Sequence, residues 1–205
     1  LLIGFIGVDN PSVEYLHYGL LEQITSFIVN DLQKRLLIEK LQVLSYRDSL
    51  TGVCNRTSYI KYLDELKDNS YSTLGVIFID INGLKKANDS RGHAYGDQMI
   101  VRISGLLKKT FAEKVFRIGG DEFAVLMCDI SSKENALAKA EQICSLYSKG
   151  DTQEGLKISC SIGIVFCDSA VGSTFDDLYQ QADKALYKAK EKGKNVFVVF
   201  DDTML

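Results

Sequence analysis

The chain has 205 residues, 46% of them apolar and 25% charged, a composition that excludes disordered, collagenous and coiled-coil-only proteins. Its 24 basic and 27 acidic residues leave a net charge of −3. A duplex-DNA partner calls for a strongly basic balance, so none is expected.

The opening Leu1–Val8 reads as a buried strand stopped by Asp9-Asn10-Pro11-Ser12. It falls far short of the roughly 18 residues of a membrane span, and it lacks the basic flank of a signal peptide. Asn10 is placed to cap a helix that begins at Pro11, where the missing N–H costs nothing. From there to about Arg47 only Gly19 interrupts, which predicts one long helix. Its apolar residues Leu16, Leu20, Leu21, Ile24, Phe27, Ile28, Leu32 and Leu36 drift around the axis. That stripe suits packing on a sheet; Leu37, Leu41 and Leu44 are too short a run for a coiled coil. A strand and one helix cannot close a core, so residues 1–45 read as the end of a preceding domain and the helix leading out of it.

Residues 46–205 read as a compact mixed domain. The patterns predict a helix over Asn55–Lys67, a buried strand Leu74–Ile79 ending at Asp80, and a helix over 96–111. Strands follow at Lys114–Ile118 and Glu122–Met127, joined by Gly119-Gly120-Asp121 as a hairpin signal. A helix over Glu134–Lys149, an alternating strand Lys157–Phe166, a helix over 174–192 and a strand Asn195–Phe200 complete the series. The order gives an α/β (α+β) domain, a ferredoxin-like sheet of about five strands flanked by helices. Five cysteines, at 54, 128, 144, 160 and 167, form no CxxC pair and lie mostly in apolar runs. They read as reduced core residues of a cytoplasmic protein.

Three acids are candidates to meet in space. Asp80 ends a strand, and Asp121 and Glu122 lie in the hairpin that such a sheet places beside it. Converging carboxylates make a hard-oxygen site suited to Mg²⁺, and the two glycines permit positive φ and close approach of a ligand. Lys85, and the cluster Lys184, Lys188, Lys190, Lys192 and Lys194, supply positive charge in an acidic chain. Carboxylates for metal and lysines for anions together suggest a metal–nucleoside triphosphate site. Asn88 to Asp97 is turn-rich, and an Asn amide with an Asp carboxylate can satisfy guanine's O6 acceptor and N1/N2 donors. His93 reads as a structural residue of that turn and His17 as a surface helix residue. Asp48 and Arg56 are expected to brace the start of the domain, and Arg117 to be structural, with a place near phosphate as the alternative.

These blocks resemble the GGDEF family, the diguanylate cyclases. Gly119-Gly120-Asp121-Glu122-Phe123 is its signature, and Asp48-Ser49-Leu50-Thr51-Gly52-Val53-Cys54-Asn55-Arg56 is similar to its opening D-x-L-T-G-x-x-N-R. Asp80-Ile81-Asn82-Gly83-Leu84-Lys85 with Asn88-Asp89, Gly92-His93 and Gly96-Asp97 resembles the nucleotide stretch. Ala182 to Lys190, followed by Gly193-Lys194-Asn195, resembles the closing helix. Four blocks in the family's order cover about residues 46 to 200.

The resemblance implies a diguanylate cyclase that joins two GTP into cyclic di-GMP across a homodimer, one GTP per subunit. Asp80, the Ile81 carbonyl, Asp121 and Glu122 would hold Mg²⁺ or Mn²⁺, two ions per site. Asp80, Asp121 and Glu122 form the catalytic set, with Glu122 serving metal binding or deprotonation of the attacking 3′-hydroxyl. Lys85, Lys190 and Lys194 would contact phosphate, Asn88 and Asp97 guanine, and the Gly119 and Gly120 backbone would lie under the phosphates. The alternative is a silent GTP-binding module that signals through a partner. Some positions depart from the family pattern. Asn82 replaces a common Asp, Leu84 and Ala87 a common Phe and Ile, and Lys194 a common Arg. The product-inhibition motif R-x-x-D falls on Thr110–Glu113, where neither charged residue is present. Gly4–Pro11 and the following helix are similar to the end of a GAF sensory domain, which implies an upstream sensor.

Overall fold

The computed structural model describes residues 18–67, 72–111, 114–130, 132–148, 158–168 and 174–204. The strand expected at 1–8 and the helix start at Asn10–Pro11 lie outside these residues, as does Glu113. The chain divides into two units, with the boundary between Ser45 and Tyr46.

Helix α1 (Tyr18–Tyr46) accounts for the described part of the first unit. Leu20, Ile24, Phe27, Ile28, Leu32 and Leu36 are all exposed, because no other described element of that unit covers them. Among the described residues no helix is long and apolar enough to cross a membrane.

The second unit holds β1 (Cys54–Asn55), α2 (Arg56–Lys67), β2 (Thr73–Ile81), α3 (Leu84–Arg91), α4 (His93–Phe111), β3 (Lys114–Arg117) and β4 (Glu122–Cys128). Then come α5 (Lys133–Ser148), β5 (Cys160–Asp168), α6 (Phe175–Glu191), β6 (Phe197–Val199) and a 3-10 turn at Asp202–Met204. The described strands form one sheet in the order β1-β3-β4-β2-β5-β6. Its four central members run antiparallel in the ferredoxin-like order, and β1 and β6 add parallel strands at the edges. The count is six strands rather than about five. The extra one, β1, is two residues long and too short to show a period.

Side-chain alternation explains the layers. In β2, Ile77, Ile79 and Ile81 face α4 and α5, packing with Met99, Ile103, Leu107, Ala136 and Ile143. Leu74, Val76 and Phe78 face α2 and α6, packing with Tyr59, Leu66, Leu178 and Leu186. Both faces are covered, so β2 is buried from Leu74 to Ile81, and its continuous apolar run marks the sheet centre. Each such side chain contributes roughly 1.5–3 kcal/mol through burial, so β2 is a major contributor to the stability of this unit.

Two helix starts carry side-chain caps that the sequence analysis did not single out. Asn55 Oδ1 accepts from Ser58 N at 3.0 Å at the head of α2. Thr174 and Asp177 form a reciprocal capping box on α6. The segment from 88 to 97 is not a turn-rich loop: α3 covers Leu84–Arg91 and α4 begins at His93. Leu84 is buried and Ala87 packs on the core, and that burial outweighs the poor helix propensity of Asn88-Asp89-Ser90. Gly92, at φ 83°, breaks the two helices apart.

Candidate active site

Asp80 and Glu122 sit directly opposite each other in the β2–β4 ladder. Both share the parity of Phe78 and Ala124, so they stand on the α2/α6 face at the end where the apolar run stops. Asp121 occupies the hairpin just before β4, and its carbonyl accepts from Ile81 N at 3.0 Å. The strand pairing therefore brings together the three acids that the sequence singled out.

Their charges are under-compensated. Burial pushes the Asp80 carboxyl up. Lys190, whose Nζ donates to Asp80 Oδ2 at 2.7 Å, pulls it down without cancelling the rise, and Asp121 adds to it. Burial likewise raises Glu122, with Asp121 and Asp80 adding their repulsion and Asp183 of α6 a smaller share. Asp183 was legible in the sequence only as part of the closing-helix block. Such a cluster is relieved by a cation, and an all-carboxylate donor set suits a hard divalent ion. Among the described residues no three His, Cys, Asp or Glu side chains are gathered closely enough to close round a metal; the Lys190 ammonium bonds Asp80 instead. The donor chemistry fits the group, with Lys190 as the side chain that must let go.

The cations fall into two sets. Lys190 reaches the acids, and Lys194 is near enough to lower Asp80. It stands in the turn after α6 with φ 66°, following Gly193 at φ 104°. Lys188 pairs with Glu191 at 3.0 Å in solvent, and Lys184 and Lys192 are exposed, as expected of a solvated helix end. Lys85 is exposed in the first turn of α3. Gly83 precedes that helix at φ 75°, and no side chain caps it, so its first N–H groups are open to an anion. The sequence reading missed this feature; the only signal was Asn82-Gly83 directly after a buried strand. Asn82 itself is occupied structurally, donating to Ser159 Oγ at 3.1 Å and accepting from Ser161 Oγ at 2.9 Å.

Asn88 packs against Gly96. A Cβ at Gly96 would lie 2.9 Å from Asn88 Cγ and collide with its Oδ1, so glycine is needed for this approach of α4 to α3. Asn88 Oδ1 is buried with no hydrogen-bond partner, a costly state unless a ligand donates to it. Asp97, the next residue after Gly96, is exposed on α4. His93 is exposed at the first position of that helix, and Thr110 lies in its last turn.

The hairpin is braced from the start of the domain. Arg117 Nη1 reaches both Asp48 oxygens at 3.1 Å, and Nη2 donates to Gly120 O at 2.7 Å. Burial raises the Asp48 carboxyl, but hydrogen bonds from Thr51 and Arg117 outweigh it and hold it below its ordinary value. Arg56 is not part of this brace. It lines a groove of about 420 Å³ with Tyr59, Tyr179 and Glu122. Neither Gly119 nor Gly120 takes a left-handed φ. Gly119 matters for a different reason: a Cβ there would lie 2.5 Å from Glu122 Oε2, so a side chain would displace the carboxylate from its position.

Comparison with known proteins agrees with this fold. The family described as "Diguanylate cyclase, GGDEF domain" matches residues 45–196. The chain belongs to the GGDEF family. It is 36% identical over 167 residues to the probable diguanylate cyclase DgcT of Escherichia coli, covering 77% of this chain and 36% of that protein. It is 33% identical to the cyclic di-GMP phosphodiesterase PdeB of Shewanella oneidensis, covering 87% of this chain but 21% of that one. The chain thus spans well under half the length of these relatives. Among solved structures, the GGDEF domain of PA1120 from Pseudomonas aeruginosa superposes with a TM-score of 0.66 at 29% identity, covering 77% of this chain and 96% of that one. The coiled coil and GGDEF domain of DgcB from Caulobacter crescentus gives 0.79 at 23% identity, over 88% and 98% of the chains, a likeness of fold.

Proposed function

We propose that the chain is a diguanylate cyclase that condenses two GTP into cyclic di-GMP and diphosphate. The observation that carries this reading is the facing pair Asp80–Glu122 beside Asp121, with more negative charge than Lys190 offsets. Asp80, Asp121, Glu122 and the Ile81 carbonyl would hold two Mg²⁺ or Mn²⁺ ions, which supply charge neutralisation at the α-phosphate when bound. Lys190 then leaves Asp80 for phosphate, joined by Lys194, Lys85 and the open N-terminus of α3. Gly119 and Gly120 keep the hairpin backbone free of side chains under the phosphates. Asn88 Oδ1 and Asp97 accept from guanine N1 and N2, which selects guanine over adenine. Glu122, whose proton affinity is raised by burial and by Asp121 and Asp80, takes the proton of the attacking 3′-hydroxyl.

A product with two-fold symmetry requires two such half-sites face to face. The exposed apolar residues of α1 supply a surface for pairing two copies, and α1 would pass on the state of an upstream GAF-like sensor. With Thr110 and Glu113 in place of the R-x-x-D charges, feedback inhibition at that motif is not expected.

Incubating the purified chain with GTP and Mg²⁺, and resolving products by mass, tests the proposal. Cyclic di-GMP that grows faster than linearly with protein concentration is the expected result. GTP binding without product, even in a chain dimerised by a fused zipper, would identify a silent nucleotide-binding module instead.

The guanine contact has its own test. Gly96→Ala is expected to force Asn88 out of its position and weaken GTP binding by about 10- to 100-fold, the worth of one or two hydrogen bonds to a buried group. Only the side chains of Asn88 and Leu84 must give, with no backbone atom in the way, so the melting temperature should stay near that of the parent. Calorimetric titration with GTP and a thermal melt read the two separately, and unchanged affinity would remove Asn88 from the guanine site.

A further inference from the structure

Cys144 of α5 and Cys160 of β5 lie in the same core cluster at the helix–sheet interface, near enough for each thiol to shift the proton affinity of the other. Both are free thiols in the same apolar core, 7% and 1% exposed, and the nucleotide chemistry uses neither. Cys144 also lines a surface cleft of about 370 Å³ together with Glu141, Ser145, Asn195, Val196 and Phe197. The cleft gives a small molecule a path to Cys144, while Cys160 behind it is closed to solvent. Asn195, in the wall of this cleft, has a left-handed backbone at φ 50°, and its Oδ1 is buried without a partner. That oxygen is an acceptor without a donor, on a residue that lines the same cleft as Cys144. The neighbouring Cys160 thiol holds the Cys144 thiol below its usual range in spite of burial, which favours the nucleophilic thiolate.

We propose that Cys144 and Cys160 form an oxidisable dithiol site, in which Cys144 attacks a hydroperoxide and Cys160 closes the disulfide. In the first step the Cys144 sulfur attacks one peroxide oxygen and the O–O bond breaks. Cys144 becomes a sulfenic acid, and water or the matching alcohol leaves with the thiol proton. In the second step the Cys160 sulfur attacks the sulfenic sulfur, the S–S bond forms, the S–O bond breaks, and water leaves with the Cys160 proton. The two thiols give up two electrons and two hydrogens, and the peroxide is reduced. The site adjoins the nucleotide elements from behind: Cys160 pairs in register with Ile81, and Asn195 directly follows Lys194.

The test treats the reduced chain with hydrogen peroxide, alkylates the remaining thiols and maps the peptides by mass. The expected result is a cross-linked peptide joining Cys144 to Cys160, lacking two hydrogens and both alkyl tags, and lost on dithiothreitol treatment. Cys54, Cys128 and Cys167 serve as internal controls. Cys160→Ser is expected to leave Cys144 as a sulfenic acid that dimedone traps, and Cys160→Ala replaces it should the serine variant not fold. The wild-type map decides in either case. Peroxide that oxidises Cys54 and Cys128 while Cys144 and Cys160 both stay alkylated would overturn the proposal, as would oxidation of Cys144 past sulfenic acid with no cross-link.

Discussion

Glu122→Gln is expected to lower cyclic di-GMP formation by roughly a thousand-fold or more, the order of loss seen when a positioned base and charge are removed together. GTP affinity should change by no more than a few-fold. The substitution preserves size and shape, and the hairpin bonds at this position use backbone: Ile118 N and Gly119 N donate to the Glu122 carbonyl at 2.9 and 3.3 Å. The amide also fits over Gly119 as the carboxylate does, since that glycine leaves the space free. What disappears is one negative charge from a cluster in which Asp80 and Asp121 raise the proton affinity of Glu122. The phosphate and guanine contacts proposed for Lys190, Lys194, Asn88 and Asp97 stay in place, so binding and turnover should separate. Initial rates by product mass and calorimetric titration with GTP measure the two quantities. Undiminished turnover would remove Glu122 from the chemistry and shift the proton transfer to another group.

The sheet was legible because its strands carry the two patterns that survive without context. Leu74–Ile79 is a continuous apolar run, and Glu122–Met127 follows a hairpin signal; together they placed Asp80 beside Asp121 and Glu122. What escaped was set by packing. Asn88-Asp89-Ser90 reads as a turn, and only burial of Leu84 against the core makes it helical. The reason for Gly119 is the Glu122 carboxylate rather than a positive φ, and nothing in the local sequence distinguishes those. Lys190 could be separated from Lys184, Lys188 and Lys192 only by the family pattern. Its bond to Asp80 spans 110 residues and depends on how α6 lies across β2 and β5.

The position of α6 rests on Gly163, and Gly163→Ala is expected to be the most destabilising single-methyl change in the domain. Gly163 is on β5 and faces α6. A Cβ there would lie 2.8 Å from Leu186 Cα and closer still to Ala182 O and Leu186 N. These are backbone atoms of a helix whose Ala182, Ala185 and Ala189 are fully buried, so no side chain can swing aside and the whole helix must lift. Overpacking of this kind costs typically 1–3 kcal/mol, and a rigid neighbour puts this site at about 3. For a unit of this size that lowers the melting temperature by roughly 6–12 °C. Gly105→Ala on α4 is the matched control, because a Cβ there meets nothing within 4 Å. In an open helical position alanine should add about 0.5–1 kcal/mol of stability. Lifting α6 would also carry Lys190 away from Asp80, so GTP turnover in Gly163→Ala should fall even at temperatures where the variant remains folded. Thermal melts of the two variants side by side provide the measurement. A Gly163→Ala protein that melts with the parent would mean that the close approach of α6 to β5 is not what fixes the helix over the site.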